Sequence, residues 1–191
     1  MDDADARLAR IEARLRDLED REEIREVVAR YGFTADLGID EAYVAQYTED
    51  GEYDTGTAVF RGHEQLREFI SAPEGTHKSQ VESRGSQHTS HNLYIRVQGA
   101  TAWAECYSVV FVRVDAGSFG IRTAAYNHWD FRRVEGRWRI VRRRRTPIGE
   151  AVHRTDGVPG IDVMTDFVEA PRPLRYGAAG CQADRGHGEP A

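Results

Sequence analysis

Four strand-length runs follow one another between Gln87 and Thr146, separated by short turns that contain glycine or alanine. The runs are Gln87–Val97, Thr101–Val114, Arg122–Val134 and Arg137–Thr146. Between them stand Gly99-Ala100, Asp115-Ala116-Gly117 and Glu135-Gly136. Turns this short join antiparallel neighbours, because a parallel connection needs a crossover of about a dozen residues. The second half of the chain is therefore expected to be a meander of long strands. Whatever precedes it must cover one face.

The preceding residues are helical by pattern. In "MDDADARLARIEARLRDLEDREEIREVVARYGFTAD", Leu8, Ile11, Leu15 and Leu18 step by three and four and draw one narrow apolar stripe. Charged residues from Asp17 to Glu23 interrupt it, and Ile24, Val27, Val28 and Tyr31 resume it in another phase. Two helices or one broken helix are expected, with a stop near Gly38. "DEAYVAQYTEDG" reads as a short helix from Asp40 to a stop at Gly51. "EYDTGTAVF" alternates like a strand, and "GHEQLREFISA" is a helix ending before Pro73. Residues Pro73 to Arg84 read as a flexible polar loop over the sheet.

Helices followed by an antiparallel meander give an α+β fold, here a cone of helices on a strongly curved sheet that encloses a pocket. Residues 1–20 are expected as a helical extension and 21–147 as the cone domain. Residues 148–191, ending in "APRPLRYGAAGCQADRGHGEPA", are expected to be irregular or disordered.

Composition removes several function classes. A formal charge of −6 argues against a nucleic-acid or acidic-membrane binder. "RRRR", Arg142–Arg145, lies on a strand, so its charges divide between two faces and lack aromatic interleaving. An anionic substrate group or an inter-subunit carboxylate suits them better. Two cysteines, Cys106 and Cys181, stand far apart with no C-x-x-C pair, so neither a zinc site nor a disulfide framework is expected, and a cytoplasmic setting fits. No apolar run has the length of a membrane span, and no signal peptide is visible.

The segments "REEIREVVARYGFTADLGIDEAYVAQYTEDGEYD", "GHEQLREFI", "QHTSHN" and "YNHWDFRRVEGRWRIVRRR" occur in that order. Together they resemble the nuclear transport factor 2-like superfamily, in its SnoaL-like and scytalone dehydratase-like branch. That resemblance implies the cone fold, which hosts dehydratases, isomerases, cyclases, hydrolases and plain binding domains. Its dehydratases carry a carboxylate at the end of the long helix, a nearby tyrosine and a histidine early on the first long strand. The matching positions are Asp36, Tyr31 and His88. The spacing in "YGFTAD" is similar to that of bile-acid dehydratase. Tyr53 matches a second pocket tyrosine and Asn127 a pocket asparagine, although a one-residue slip would choose Tyr126 or His128. The second pocket histidine of scytalone dehydratase has no counterpart in "AWAECYSVVFVRV"; the bile-acid enzyme has an aspartate in that region, for which Glu105 and Tyr107 are the nearest substitutes here. A homo-oligomer is expected: scytalone dehydratase-like relatives imply a trimer and other branches of the superfamily a dimer.

Dehydration beside a carbonyl removes an acidic C–H proton and expels a hydroxyl. Histidine is a base with ordinary affinity near neutrality, an aspartate on its other nitrogen fixes the tautomer, and a tyrosine can donate to the enolate oxygen. His88, Asp36 and Tyr31 form such a set with no metal or organic cofactor. The expected function is thus a cofactor-independent lyase on a hydroxylated carbonyl compound of polyketide, aromatic or steroid type. An isomerase or polyketide cyclase with the same residues stays open, as does a non-catalytic small-molecule-binding module. Strand parity puts His88, Ser90, Asn92, Tyr94 and Arg96 on one face and Thr89, His91, Leu93, Ile95 and Val97 on the other. Parity alone leaves open which face is the pocket.

Overall fold

The computed structural model describes residues 3–81 and 85–148; the expectations for 149–191 lie outside the described residues. In chain order the elements are α1 (Asp3–Leu37), α2 (Asp40–Val44), β1 (Tyr47–Asp54), β2 (Val59–Arg61), α3 (Gly62–Ser71), α4 (Thr76–Gln80), β3 (Ser86–Gln98), β4 (Thr101–Asp115), β5 (Ser118–Val134) and β6 (Arg137–Pro147). The strands form one sheet in the order β2-β1-β6-β5-β4-β3. Every pairing is antiparallel except β1 with β6, which run parallel. This is the α+β cone: helices on one face of a curved, mostly antiparallel sheet.

Three elements differ from expectation. The amino-terminal helix is continuous, not broken at Asp17–Glu23. Those charged residues are adequate helix formers, and Arg21 bridges Asp17 one turn back at 2.9 Å. The change of phase rotates the buried face instead of ending the helix. Ile24, Val27, Val28, Tyr31, Gly32 and Ala35 are buried, while Leu8, Ile11, Leu15 and Leu18 stay 53–61% exposed. The second helix ends at Val44, and the residues to Asp54 extend as β1 because β6 offers them a parallel partner. Gly51 sits where that ladder shifts register; a β-carbon there would lie 2.9 Å from the Thr48 carbonyl oxygen. Within Pro73–Arg84, expected as loop, Thr76–Gln80 is a helical turn.

The core lies between α1, α2, α3 and the concave face of the sheet. Ile24, Tyr43, Leu66, Ile70, Ala104, Trp129, Phe131, Trp138 and Ile140 fill it. Each of these larger side chains removed from water contributes about 1.5–3 kcal/mol.

Two bulges decide what else faces inward. On β3 the register shifts between His91 and Tyr94, with Asn92 at a φ of 55°. Parity inverts there, so His88 shares the concave face with Ile95 and Val97 despite their odd separation. On β6, Ile140 pairs with Phe131 while Arg142 pairs with Asp130, which leaves Val141 as the extra residue. Trp138 and Ile140 point inward before it, and Arg143 and Arg145 after it. Arg142 and Arg144 face out, against Glu52 and Asp54 of β1.

Candidate active site

A cavity of about 540 Å³ opens between α3, α4 and the concave sheet face. Phe60, Phe69, Val81, Val110 and Tyr53 give it apolar walls, and His77, His88, Ser108, Arg143 and Arg145 supply polar groups.

His88 reaches this cavity because β3 runs unusually close to α1. Gly32 stands at the crossing, where a β-carbon would lie 3.3 Å from the His88 carbonyl oxygen and 3.4 Å from its Cβ. One turn later, Asp36 ends the helix beside the strand. Its Oδ2 accepts from the His88 amide at 2.8 Å, and its Oδ1 accepts from Ser86 Oγ at 2.7 Å and lies 2.6 Å from His88 Nδ1. Burial would raise the Asp36 carboxyl, but the hydrogen bonds from the His88 ring, Ser86 and the His88 amide outweigh it and hold the group below its ordinary value. An ionised carboxylate can only accept, so Nδ1 carries a proton, and in the neutral ring Nε2 is the nitrogen with the lone pair. Both side chains are only 14% exposed.

The tyrosine expected beside this pair stands one layer back. Tyr31 is buried, its hydroxyl lies 3.1 Å from that of Tyr43, and it is not among the cavity-lining residues. Burial pushes its phenol well above the ordinary range, so it stays protonated. Its ring instead supports Arg143, whose guanidinium carbon lies 4.3 Å from the Tyr31 ring centre, 4.8 Å from that of Tyr53 and 4.6 Å from that of Trp129. Tyr53 does line the cavity.

Asn127 is fully buried beneath the wall. Its Oδ1 accepts from Arg143 Nε at 3.0 Å and Nη2 at 2.7 Å, and its Nδ2 donates to Ser108 Oγ at 2.8 Å. Arginine only donates, which fixes the amide's orientation. The alternatives one residue away, Tyr126 and His128, face the opposite side of the sheet.

Glu105 and Tyr107 do not belong to the cavity. Ala104, Cys106 and Ser108 are the inward residues of β4, so Glu105 and Tyr107 project from the convex face, and Tyr107 is 49% exposed. Glu105 lies 3.5 Å from His128 Nδ1, and Asp130 lies 3.2 Å from its Nε2. Burial works to lower the His128 imidazole, but Asp130 and Glu105 together push it up to about 9. His91, exposed and 3.1 Å from Thr89 Oγ1, is also on the outside.

Sequence reasoning missed Arg143 and His77 as cavity residues. Arg143 is 3% exposed and meets no carboxylate among the described residues. The His77 ring stacks near that of His88, with centres 6.2 Å apart. Alternation within "RRRR" splits the charges correctly, but only the bulge at Val141 determines which pair turns inward. Among the described residues no group of three or more His, Cys, Asp or Glu could hold a metal ion, and no helix is long and apolar enough to cross a membrane.

A family model described as a SnoaL-like domain matches residues 16–144. The chain belongs to the SnoaL-like family. Solved structures place this SnoaL-like chain in the nuclear transport factor 2-like superfamily. An NTF2-like protein with a cystatin-like fold from Novosphingobium aromaticivorans is 41% identical over 76% of this chain and 92% of its own, with a TM-score of 0.70. A protein of unknown function with a cystatin-like fold from Nostoc punctiforme is 26% identical over 69% of this chain and 92% of its own, at 0.60. A Novosphingobium aromaticivorans protein named for scytalone dehydratase shares the fold at 19% identity, 69% and 85% coverage and a TM-score of 0.59. No curated protein matches the chain.

Proposed function

We propose that this SnoaL-like protein is a cofactor-independent lyase of dehydratase type, acting on a hydroxylated carbonyl compound with an aromatic or polycyclic body. The observation that carries the reading is the His88–Asp36 pair at 2.6 Å on the wall of an apolar cavity. His88 Nε2 takes the proton from the carbon beside the carbonyl, and Asp36 stabilises the imidazolium so formed. The electron pair moves onto the carbonyl oxygen as an enolate. Arg143 and the Tyr53 hydroxyl are the donors on the cavity wall suited to that charge, with Tyr31 acting through Arg143. Collapse of the enolate breaks the C–O bond at the next carbon, and the imidazolium returns its proton to the departing hydroxyl. A carbon–carbon double bond and water are the products, and His88 is restored.

Purified protein incubated with a panel of β-hydroxy ketones tests this by the appearance of enone absorbance, with and without a metal chelator. Water loss that survives the chelator and disappears in His88→Ala supports the reading. Product of unchanged mass would make the site an isomerase or cyclase, and binding without turnover would make it a carrier.

A further inference from the structure

The reaction proposed above uses one end of the cavity. Arg145, two residues beyond Arg143 on the same inward face of β6, is left without a task. Its Nη1 donates to Thr123 Oγ1 at 3.1 Å and its Nη2 to the Thr55 carbonyl oxygen at 3.4 Å; its buried Nε has no partner. Both acceptors are neutral, and two of the five N–H donors are spent. The contrast with the neighbouring arginines is direct. Arg142 and Arg144, outward on the same strand, each lie within 3.6 Å of a carboxylate oxygen. Arg143 and Arg145, inward, have none among the described residues.

The imbalance extends over the cavity. In a chain with a formal charge of −6, its lining contains Arg143 and Arg145, and Glu68 is the one carboxylate among the described lining residues. An unneutralised guanidinium beside apolar walls is poorly solvated, and an anionic ligand that replaces the missing counter-charge gains a charge-assisted, bidentate contact. Arg143 lies among the three aromatic rings near His88, whereas Arg145 sits further along, beside Thr123 and Thr55. Successive inward positions on a strand are roughly 6–7 Å apart.

We propose that the substrate is an acid: a ring body carries a carboxylate that Arg145 binds, at the end away from the carbon His88 addresses. The apolar residues between, Phe60, Phe69 and Val110, are the surface for the ring body. The assignment of ends rests on the lyase reading; the requirement for a carboxylate does not.

Binding of 2-naphthoate and of its neutral isostere 2-naphthamide, measured by titration calorimetry on the full chain, tests this without turnover. The wild-type protein is expected to bind the carboxylate at least about tenfold more tightly than the amide. Arg145→Gln removes that preference by weakening the carboxylate and leaving the amide unchanged, while Arg145→Lys, which keeps the charge but not the fork, retains part of it. Equal affinities in the wild type, binding of neither probe, or a preference that survives Arg145→Gln overturns the proposal. Failure of the hydroxy-ketone panel with the carboxylate preference intact would remove the lyase reading and leave this one standing.

Discussion

The two faces of the sheet use the same residue types for opposite ends. On the convex face the charges are matched: Arg142 and Arg144 lie against Glu52 and Asp54, and His128 stands between Glu105 and Asp130. On the concave face the hydrogen-bonded pair of His88 and Asp36 opens on a cavity where, among the described residues, Arg143 and Arg145 have no carboxylate. A matched charge contributes to holding the sheet and has little left to offer a ligand. An unmatched charge, kept in place by neutral partners such as Asn127, Thr123 and three aromatic rings, can act on whatever enters. The difference teaches where chemistry can be sought: in the charges the fold positions without neutralising.

The sharpest way to break this contrast is His88→Ala. On the concave face it removes the base paired with Asp36, and turnover on any productive substrate should fall by about 10²–10⁴-fold, read from initial rates. Glu105→Gln on the convex face should leave the rate within about twofold, because Glu105 faces away from the cavity. Equal losses from both would mean the two faces are not functionally distinct.

Asp36→Asn comes next. The substitution keeps the shape but replaces an acceptor with a group that can donate to Nδ1, favouring the wrong tautomer. A fall in kcat with KM little changed is expected, smaller than that of His88→Ala. Acid should act on this pair as well. The Asp36 carboxyl is held below its ordinary value in the fold, so its contribution is present above the unfolded value and is lost as pH falls through the folded one. Unfolding midpoints measured between pH 5 and 2 should drop less steeply in Asp36→Asn than in the wild type.

Asn127→Ala separates support from chemistry. It takes the neutral acceptor from a buried guanidinium, at a cost of about 1.5–3 kcal/mol in stability by denaturant titration. A rate loss should accompany it if Arg143 holds the enolate, and addition of a carboxylate ligand should restore part of the stability.

The history of these residues shows how much of the molecule is legible in its sequence. The meander was readable because alternation and short turns are local: Gly99 has a φ of 62°, and Glu135 and Gly136 have φ of 50° and 78°, at the turns the sequence marks. The continuity of α1 was not, since a change of apolar phase looks the same whether the helix breaks or turns its face. The pairing of Asp36 with His88 followed from a resemblance, and the close approach at Gly32 that makes it geometrically possible carries no local signature. Glu105 and Tyr107 were misplaced by alignment along β4, where one residue decides between inside and outside. Arg143 and Arg145 depended on a bulge at Val141, which exists only in relation to β5 and so cannot be read from β6 alone.

The smallest effect belongs to the convex face and concerns alkali. His128 is buried between two carboxylates, and its imidazole is pushed up to about 9 from an ordinary value of 6.5. A raised value means the folded state holds the proton more tightly than the unfolded chain does. The resulting stabilisation is fully present below about pH 6.5 and fades as pH rises through about 9. Thermal midpoints of the wild type should therefore decline across that window. In His128→Gln, which can still hydrogen-bond but not titrate, the decline should flatten while the turnover rate stays close to wild type. A flattened stability profile with an altered rate would tie the matched face to the chemistry after all. An unaltered profile would mean that the Glu105–His128–Asp130 cluster does not hold its proton against solvent, and that the sheet's outer charges are less well matched than their distances indicate.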